Sequence, residues 1–328
     1  MESLTVSDLG ERRLIARLRE RFPGLALTGD DAAVLESLKL PVVTTDSFYE
    51  TTHFYLWWAP ARVLGRRLLE AALSDLAAMG ARPGWSLIAL TLPDRTDVQW
   101  LERLYEGFLE RQDCVMAGGE IVSGERLGVT ITAIGEGAGE GDLLRRSALR
   151  PGDGLWVTGK IGRALGAPKL IEETEQLRGP ELKPTVDALD QQELEQVRAF
   201  LRPRAHFREG QLLRRLGVRC AIDISDGLLS EAGHLARESG VDVQLELEGV
   251  PFFESVADRP LAACAAGEDF VLLFGCPDSV DLSETGFYNV GRASKGSGAV
   301  TVTRGGKKVE FSSRGYDHLA GKPRPDAP

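Results

Sequence analysis

Between residues 60 and 136 the sequence switches repeatedly between helical and strand periodicity, and this alternation restricts the fold more than any other feature. A long helix is expected from Pro60, a favourable first-turn residue, to Gly80, a favourable stop. The strand "WSLIALTL" follows, then a helix over 97–111 with Trp100, Leu101, Leu104 and Phe108 on one face, then the strands "CVMAG" and "GVTITAIGE". Upstream, residues 8–22 read as an amphipathic helix, and "AAVLE" and "LPVVTT" as short strands. The Gly-rich "GEGAGEGD" and "RRSALRPGDG" mark a junction. Beyond it the pattern resumes with "LWVTG", helices over 189–200, 206–216 and 226–239, and the strands "CAIDI", "VQLELE" and "FVLLFG". A chain of 328 residues is long for one core. The expectation is an α/β protein of two α/β domains, 1–140 and 141–318, with a disordered tail over 319–328. Residues 166–188, charged and Pro-punctuated, fit a surface excursion.

The 39 basic and 49 acidic residues leave a net charge of −10, which argues against nucleic acid or an anionic membrane as the main partner. An acidic chain can still bind a polyanion if cations intervene. The four cysteines, Cys114, Cys220, Cys264 and Cys276, have no C-x-x-C spacing and read as buried thiols of a reducing compartment. The sequence has no signal-peptide pattern at its start and no apolar run of membrane-spanning length, so a cytoplasmic location is expected.

Acids flanked by Gly, Ser or Thr recur in "TGDDAAVL", "TTDSF", "LSDLAAMG", "AGGE" and "AIDISDGL". Turn chemistry explains any one of them. Asp75 is harder to explain so, because it lies near the C-terminal end of the long helix, where the macrodipole disfavours negative charge, among Ala71, Ala72, Ala78 and Met79. A bound cation would account for it. Asp223, between Ile222 and Ile224, falls at the carboxyl end of a strand, where open α/β sheets place ligands. Ser225 or Asp226 could simply cap the following helix. Glu268 and Asp269 precede a buried strand and read either as a turn or as a site. "GLWVTGKI" approaches the phosphate-loop pattern, but its "LWVT" is strand-like and Ile161 carries no hydroxyl for magnesium. "GEGAGEG" lacks the helix that a dinucleotide fingerprint requires.

Together "GDDAAVL", "TTDSFYETTHF", "LSDLAAMGARP", "RRSALRPGDGLWVTG", "RPRAHF", "IDISDGLLSEAGHLA", "GEDF" and "GYDH" resemble, in order and spacing, the thiamine-monophosphate kinase family. That family belongs to the superfamily of aminoimidazole ribonucleotide synthetase and selenophosphate synthetase. The resemblance covers residues 28 to 318. It implies the two-domain fold of that superfamily, with the N-terminal sheets of two chains pairing in a homodimer. It also implies ATP-dependent phosphorylation of thiamine monophosphate with several Mg2+ ions. At family positions for magnesium stand Asp31, Thr44, Thr45, Asp46, Asp75, Glu120, Asp223 and Asp226. Tyr105, Gly119, Glu120, Arg146 and Ser225 match nucleotide contacts, and His53, Glu268 and Tyr316 match contacts to thiamine phosphate. Asp46, Asp75 and Arg146 would carry the catalysis. Magnesium's preference for hard oxygens and shared phosphates agrees with this set.

The chain departs from the family pattern near the implied site. Glu120 replaces a usual Asp, Ile121 a Thr, Ala72 an Asn, Ala265 and Ala266 a Ser-Gly pair, and Phe270 a Tyr. Two other readings fit the same residues: an ATP-dependent synthetase with another acceptor, and a metal- and nucleotide-binding dimer without turnover.

Overall fold

The computed structural model describes residues 4–28, 31–174 and 189–311. It resolves into two compact units, one of residues 1–144 with 166–219, the other of 145–165 with 220–328. The sequence reading divides the chain at 140 and 141 and so assigns 166–219 to the second domain. By contact, the described residues 166–174 and 189–219 cluster with the first unit.

The first unit has a four-stranded sheet ordered β1-β4-β2-β3, from β1 (Pro41–Tyr49), β2 (Arg82–Leu92), β3 (Val115–Ser123) and β4 (Gly128–Glu136). β4 is antiparallel to both neighbours, and β2 runs parallel to β3. Its helices are α1 (Val6–Leu9), α2 (Glu11–Arg21), α3 (Ala61–Ala78), α4 (Val98–Phe108), α5 (Ala167–Glu173), α6 (Gln191–Leu201) and α7 (Phe207–Arg215). The expected strand "AAVLE" is irregular, and Val34 is 89% exposed. Among the described residues the segment pairs with no strand, although β1 stands at the edge of the sheet.

α3 is buried nearly all round because it packs against the sheet on one side and α4, α6 and α7 on others. Gly65 and Gly107 permit the α3/α4 crossing, since a Cβ would stand 2.2 Å from the Leu104 carbonyl oxygen or 2.1 Å from that of Arg62. Gly80, at φ +68, ends α3 as the sequence predicts. Glu70 on α3 is wholly buried and is held by three donors. Arg66 lies 2.9 Å away, Arg111 donates to both carboxylate oxygens at 3.0 and 2.9 Å, and the Ala205 amide donates at 2.7 Å. Arg111 also stacks 4.7 Å above the Phe207 ring. This network fastens the "RPRAHF" segment to α3 and accounts for its place in the first unit.

The second unit is a seven-stranded sheet ordered β11-β10-β7-β9-β5-β8-β6. Its strands are β5 (Gly154–Val157), β6 (Cys220–Asp223), β7 (Val241–Glu246), β8 (Leu272–Cys276), β9 (Tyr288–Lys295), β10 (Val300–Arg304) and β11 (Lys307–Val309), with helices α8 (Leu228–Ser239) and α9 (Pro260–Ala265). β5, the near-miss phosphate loop, is a strand paired on both sides. Leu155, Val157, Ile222, Leu229, Leu235, Val243, Leu273 and Val290 form one apolar core. All four cysteines are unbridged and buried, and burial raises the pKa of each thiol. Among the described residues, no helix is long and apolar enough to cross a membrane. Tyr316 and the tail over 319–328 lie outside the described residues.

Candidate active site

Alternation along β1 half-buries Thr44 and Asp46 and exposes Thr45, Ser47 and Tyr49. Thr44 donates its hydroxyl to Asp75 Oδ2 at 2.5 Å, so the last turn of α3 and the middle of β1 share one polar cluster. Burial first, and the negative charge of Asp75 second, push the Asp46 carboxyl up to about 7. Two carboxylates held this close in a half-buried place repel one another, and a cation would relieve the repulsion. Thr45 is not part of this cluster. Its hydroxyl is 3.1 Å from that of Thr132 on the exposed side of the strand, as Ser47 is paired with Thr130 at 2.9 Å.

A second group surrounds a cavity of about 130 Å3 lined by Ile15, Leu18, Thr28, Tyr105, Gly119 and Glu120, among others. Tyr105 stacks on Phe22 at 6.3 Å and meets Phe108 edge-on, and its burial raises the phenol pKa. Gly119 leaves no room for a side chain, because a Cβ would stand 1.9 Å from the Ile88 carbonyl oxygen. Glu120 is exposed and accepts from the Ile121 amide at 3.0 Å. Three residues expected to contact nucleotide therefore meet at one cavity.

The second unit assembles the third group. Asp223, 3% exposed, ends β6, and Ser225 and Asp226 form the turn before α8. Gly227 at φ +113 is required there, since a Cβ would fall 2.9 Å from the Cys264 carbonyl oxygen. The "GEDF" turn lies against this one: the Glu268 amide donates to the Ser225 carbonyl at 2.6 Å and the Phe270 amide to that of Ile224 at 2.8 Å. Glu268 and Phe270 both adopt positive φ, 63° and 49°, a strained backbone of the kind concentrated at functional sites. Arg146, on a short 3-10 turn, stands near enough to Glu231 to favour that residue's charged form.

His53 belongs to a turn after β1. Its Nδ1 accepts from the Tyr49 amide at 2.9 Å, which in the neutral ring leaves the proton on Nε2. Asp31 is exposed and, among the described residues, has no partner in any of these groups. No set of three or more His, Cys, Asp or Glu side chains among the described residues is arranged to hold a metal ion. Thr44, Asp46 and Asp75 nevertheless fit magnesium, which takes one or two carboxylates and completes its octahedron with water and substrate phosphate.

Residues 29–137 match the N-terminal domain of the AIR synthase related protein family, and residues 150–304 match its C-terminal domain. The thiamine-monophosphate kinase of Escherichia coli is 32% identical over 335 residues, spanning 95% of this chain and 98% of its own. That of Pyrococcus abyssi is 33% identical, spanning 96% and 98%. The chain belongs to the thiamine-monophosphate kinase family. A solved family structure from Stenotrophomonas maltophilia superimposes with a TM-score of 0.75 at 30% identity, over 90% of this chain and 96% of the other. A second, AaThiL complexed with AMPPCP and TMP, gives 0.72 at 28% identity, over 97% and 100%.

Two further buried acids stand beside these groups: Asp269, which the sequence left open between a turn and a site, and Glu231, which it did not single out. Asp269 is wholly buried, and its carboxylate accepts from the Gly162 amide at 2.9 and 3.1 Å and from the Arg163 amide at 3.0 Å. Burial pushes it up to about 7 against these donors and the Arg163 charge. It ties the turn after β5 to the turn that carries Glu268. Glu231, 3% exposed on α8, accepts from the Asp226 amide at 3.0 Å, and burial together with Asp223 pushes it up to about 8. A single Glu inside a helix reads as a solvated face, so only the density of nearby acids in "DISDGLLSE" could have flagged it.

Proposed function

We infer that this chain transfers the γ-phosphoryl group of ATP to the phosphate of thiamine monophosphate, giving thiamine diphosphate and ADP. Near-full-length similarity to kinases of that name carries the reading, and the Asp46/Asp75 pair supports it from chemistry. An acceptor phosphate oxygen attacks the γ-phosphorus in line as the bond to the ADP oxygen breaks. The attacking oxygen is already ionised near neutral pH, so no general base is required. The work of the protein is to position and to neutralise charge. Tyr105 and Gly119 would flank the adenine end of ATP, with Ser225 as a further contact and Arg146 on its phosphates. His53 would donate from Nε2 to the acceptor, joined by Glu268 and Tyr316.

Asp31, Thr44, Asp46, Asp75, Glu120, Asp223 and Asp226 would hold several Mg2+ ions, whose chemistry when bound is to neutralise the triphosphate, whereas the Thr45 hydroxyl is turned to Thr132. Glu120 already accepts from its neighbour's amide, so its longer side chain must turn to reach a metal. Because Asp46 holds its proton to about 7 without metal, magnesium binding must expel that proton. Magnesium affinity is therefore expected to rise as pH increases from about 6 to about 8. Calorimetric titration checks this, and a flat affinity across that range would count against Asp46 as a ligand.

The sheet of the first unit exposes Val43 (60%), Tyr49 (48%) and Val122 (49%), which supports a homodimer built on that sheet. The family's two modules are proposed to divide near 140 and 141, and the location to be cytoplasmic. ADP release measured across acceptors tests the activity: thiamine monophosphate should stimulate it. Stimulation only by a ribonucleotide or selenide would instead indicate a synthetase of the wider superfamily, and nucleotide binding with no turnover an idle dimer.

A further inference from the structure

The first unit contains a second and larger cavity, of about 630 Å3, that none of the roles above uses. It is lined by Glu50, Leu56, Pro93, Arg95, Thr96, Asp97, Trp100, Glu125, Arg126 and Leu127. Its volume is that of a small-molecule site. The walls come from the turn after β1, the start of α4 and the turn between β3 and β4.

The charges at this cavity differ in what already occupies them. Glu50 accepts from the Leu127 amide at 3.2 Å, and Asp97 caps α4 by accepting from the Trp100 amide at 2.8 Å. Arg95 and Arg126 have no hydrogen-bond or ion-pair partner among the described residues. Two uncommitted guanidinium groups line this one cavity, and the planar fork of a guanidinium matches a phosphate or carboxylate. Trp100, half-buried, together with Leu56 and Pro93, adds an apolar wall with a ring face. Glu125 is exposed and offers an acceptor at the rim.

The cavity also adjoins a strained turn. Thr51 has φ +72, an outlier for a β-branched residue, and its amide donates to the Phe54 carbonyl at 2.7 Å. That turn carries Glu50 and Leu56 to the cavity and His53 between them. We propose that this cavity is a ligand site, separate from the nucleotide cavity at Tyr105, for a small ring-bearing phosphate monoester, and that its occupancy biases the turn holding His53. The link to His53 rests on the functional reading above, whereas binding itself does not.

Phenyl phosphate is the probe, titrated into the full chain without ATP and followed by equilibrium dialysis and by tryptophan fluorescence. Saturable binding is expected, with half-saturation raised about tenfold or more in the Arg95→Ala/Arg126→Ala variant. Trp100→Phe should lose most of the fluorescence change while dialysis still reports binding. Circular dichroism of the exposed-site variants confirms that they fold. In turnover assays, phenyl phosphate should shift KM for thiamine monophosphate in the wild type and not in the double variant, whose basal kcat stays unchanged. No saturable binding, or equal binding by the double variant, overturns the site. Inhibition that persists in the double variant places the probe at the reaction centre and overturns the separate site. Failure of the kinase reading alone would leave the dialysis result intact.

Discussion

Asp75→Asn is expected to reduce kcat for thiamine monophosphate by about 100- to 1,000-fold, the scale seen when one preorganised electrostatic contact to a transition state is lost. The substitution separates charge from shape. The substituted carboxamide retains an oxygen that can accept the Thr44 hydroxyl, so the link between α3 and β1 survives. Only the charge goes. Without it Asp46 loses the second of the two influences that raise its pKa and falls back toward the ordinary carboxylate range. The metal-free variant should therefore be as stable as the wild type or slightly more so, while its magnesium affinity falls. Steady-state kinetics with a parallel thermal melt check both halves. Wild-type turnover would remove Asp75 from the site, and a collapse in stability would give it a structural role instead.

Glu70→Ala should cost about 3–5 kcal/mol of unfolding free energy, the range for removing one partner of a buried ion pair. Arg66 and Arg111 would then face each other across an emptied space, and the Ala205 amide would lose its acceptor. Because this carboxylate binds the "RPRAHF" segment to α3, loosening should begin at residues 204–207. Urea unfolding gives the magnitude, and amide exchange locates it. An unchanged urea midpoint would show that the network is held by Arg111 stacking on Phe207 and by Arg66–Glu110 pairing at 3.0 Å rather than by Glu70.

Local periodicity made the central elements legible. "GVTITAIGE" is β4 from end to end, and the helix placed between Pro60 and Gly80 is α3, because apolar spacing and stop residues act over a few positions. β9, β10 and β11 carried too weak a signal: only Val290, Gly291 and Ala293 are buried along β9, and the segment that follows is rich in Gly and Lys. "AAVLE" differs in the other direction: the run is apolar and short, and among the described residues it pairs with no strand. Thr44 and Thr45 could not be separated as ligands by type or by neighbourhood. The pleat decides between them, sending one side chain to Asp75 and the other to Thr132. Long-range ties such as Glu70 to Ala205 have no local signature, so the sequence could not show that the segment around Ala205 packs on α3.

The γ-phosphoryl group is expected to move directly to thiamine monophosphate with magnesium at Asp46 and Asp75. Phosphorus NMR of the full chain with ATP and thiamine monophosphate follows this without coupling enzymes. Thiamine diphosphate and ADP should appear in equal amounts with magnesium, and neither after chelation. ADP accumulating without thiamine diphosphate, or equal product after chelation, would contradict this.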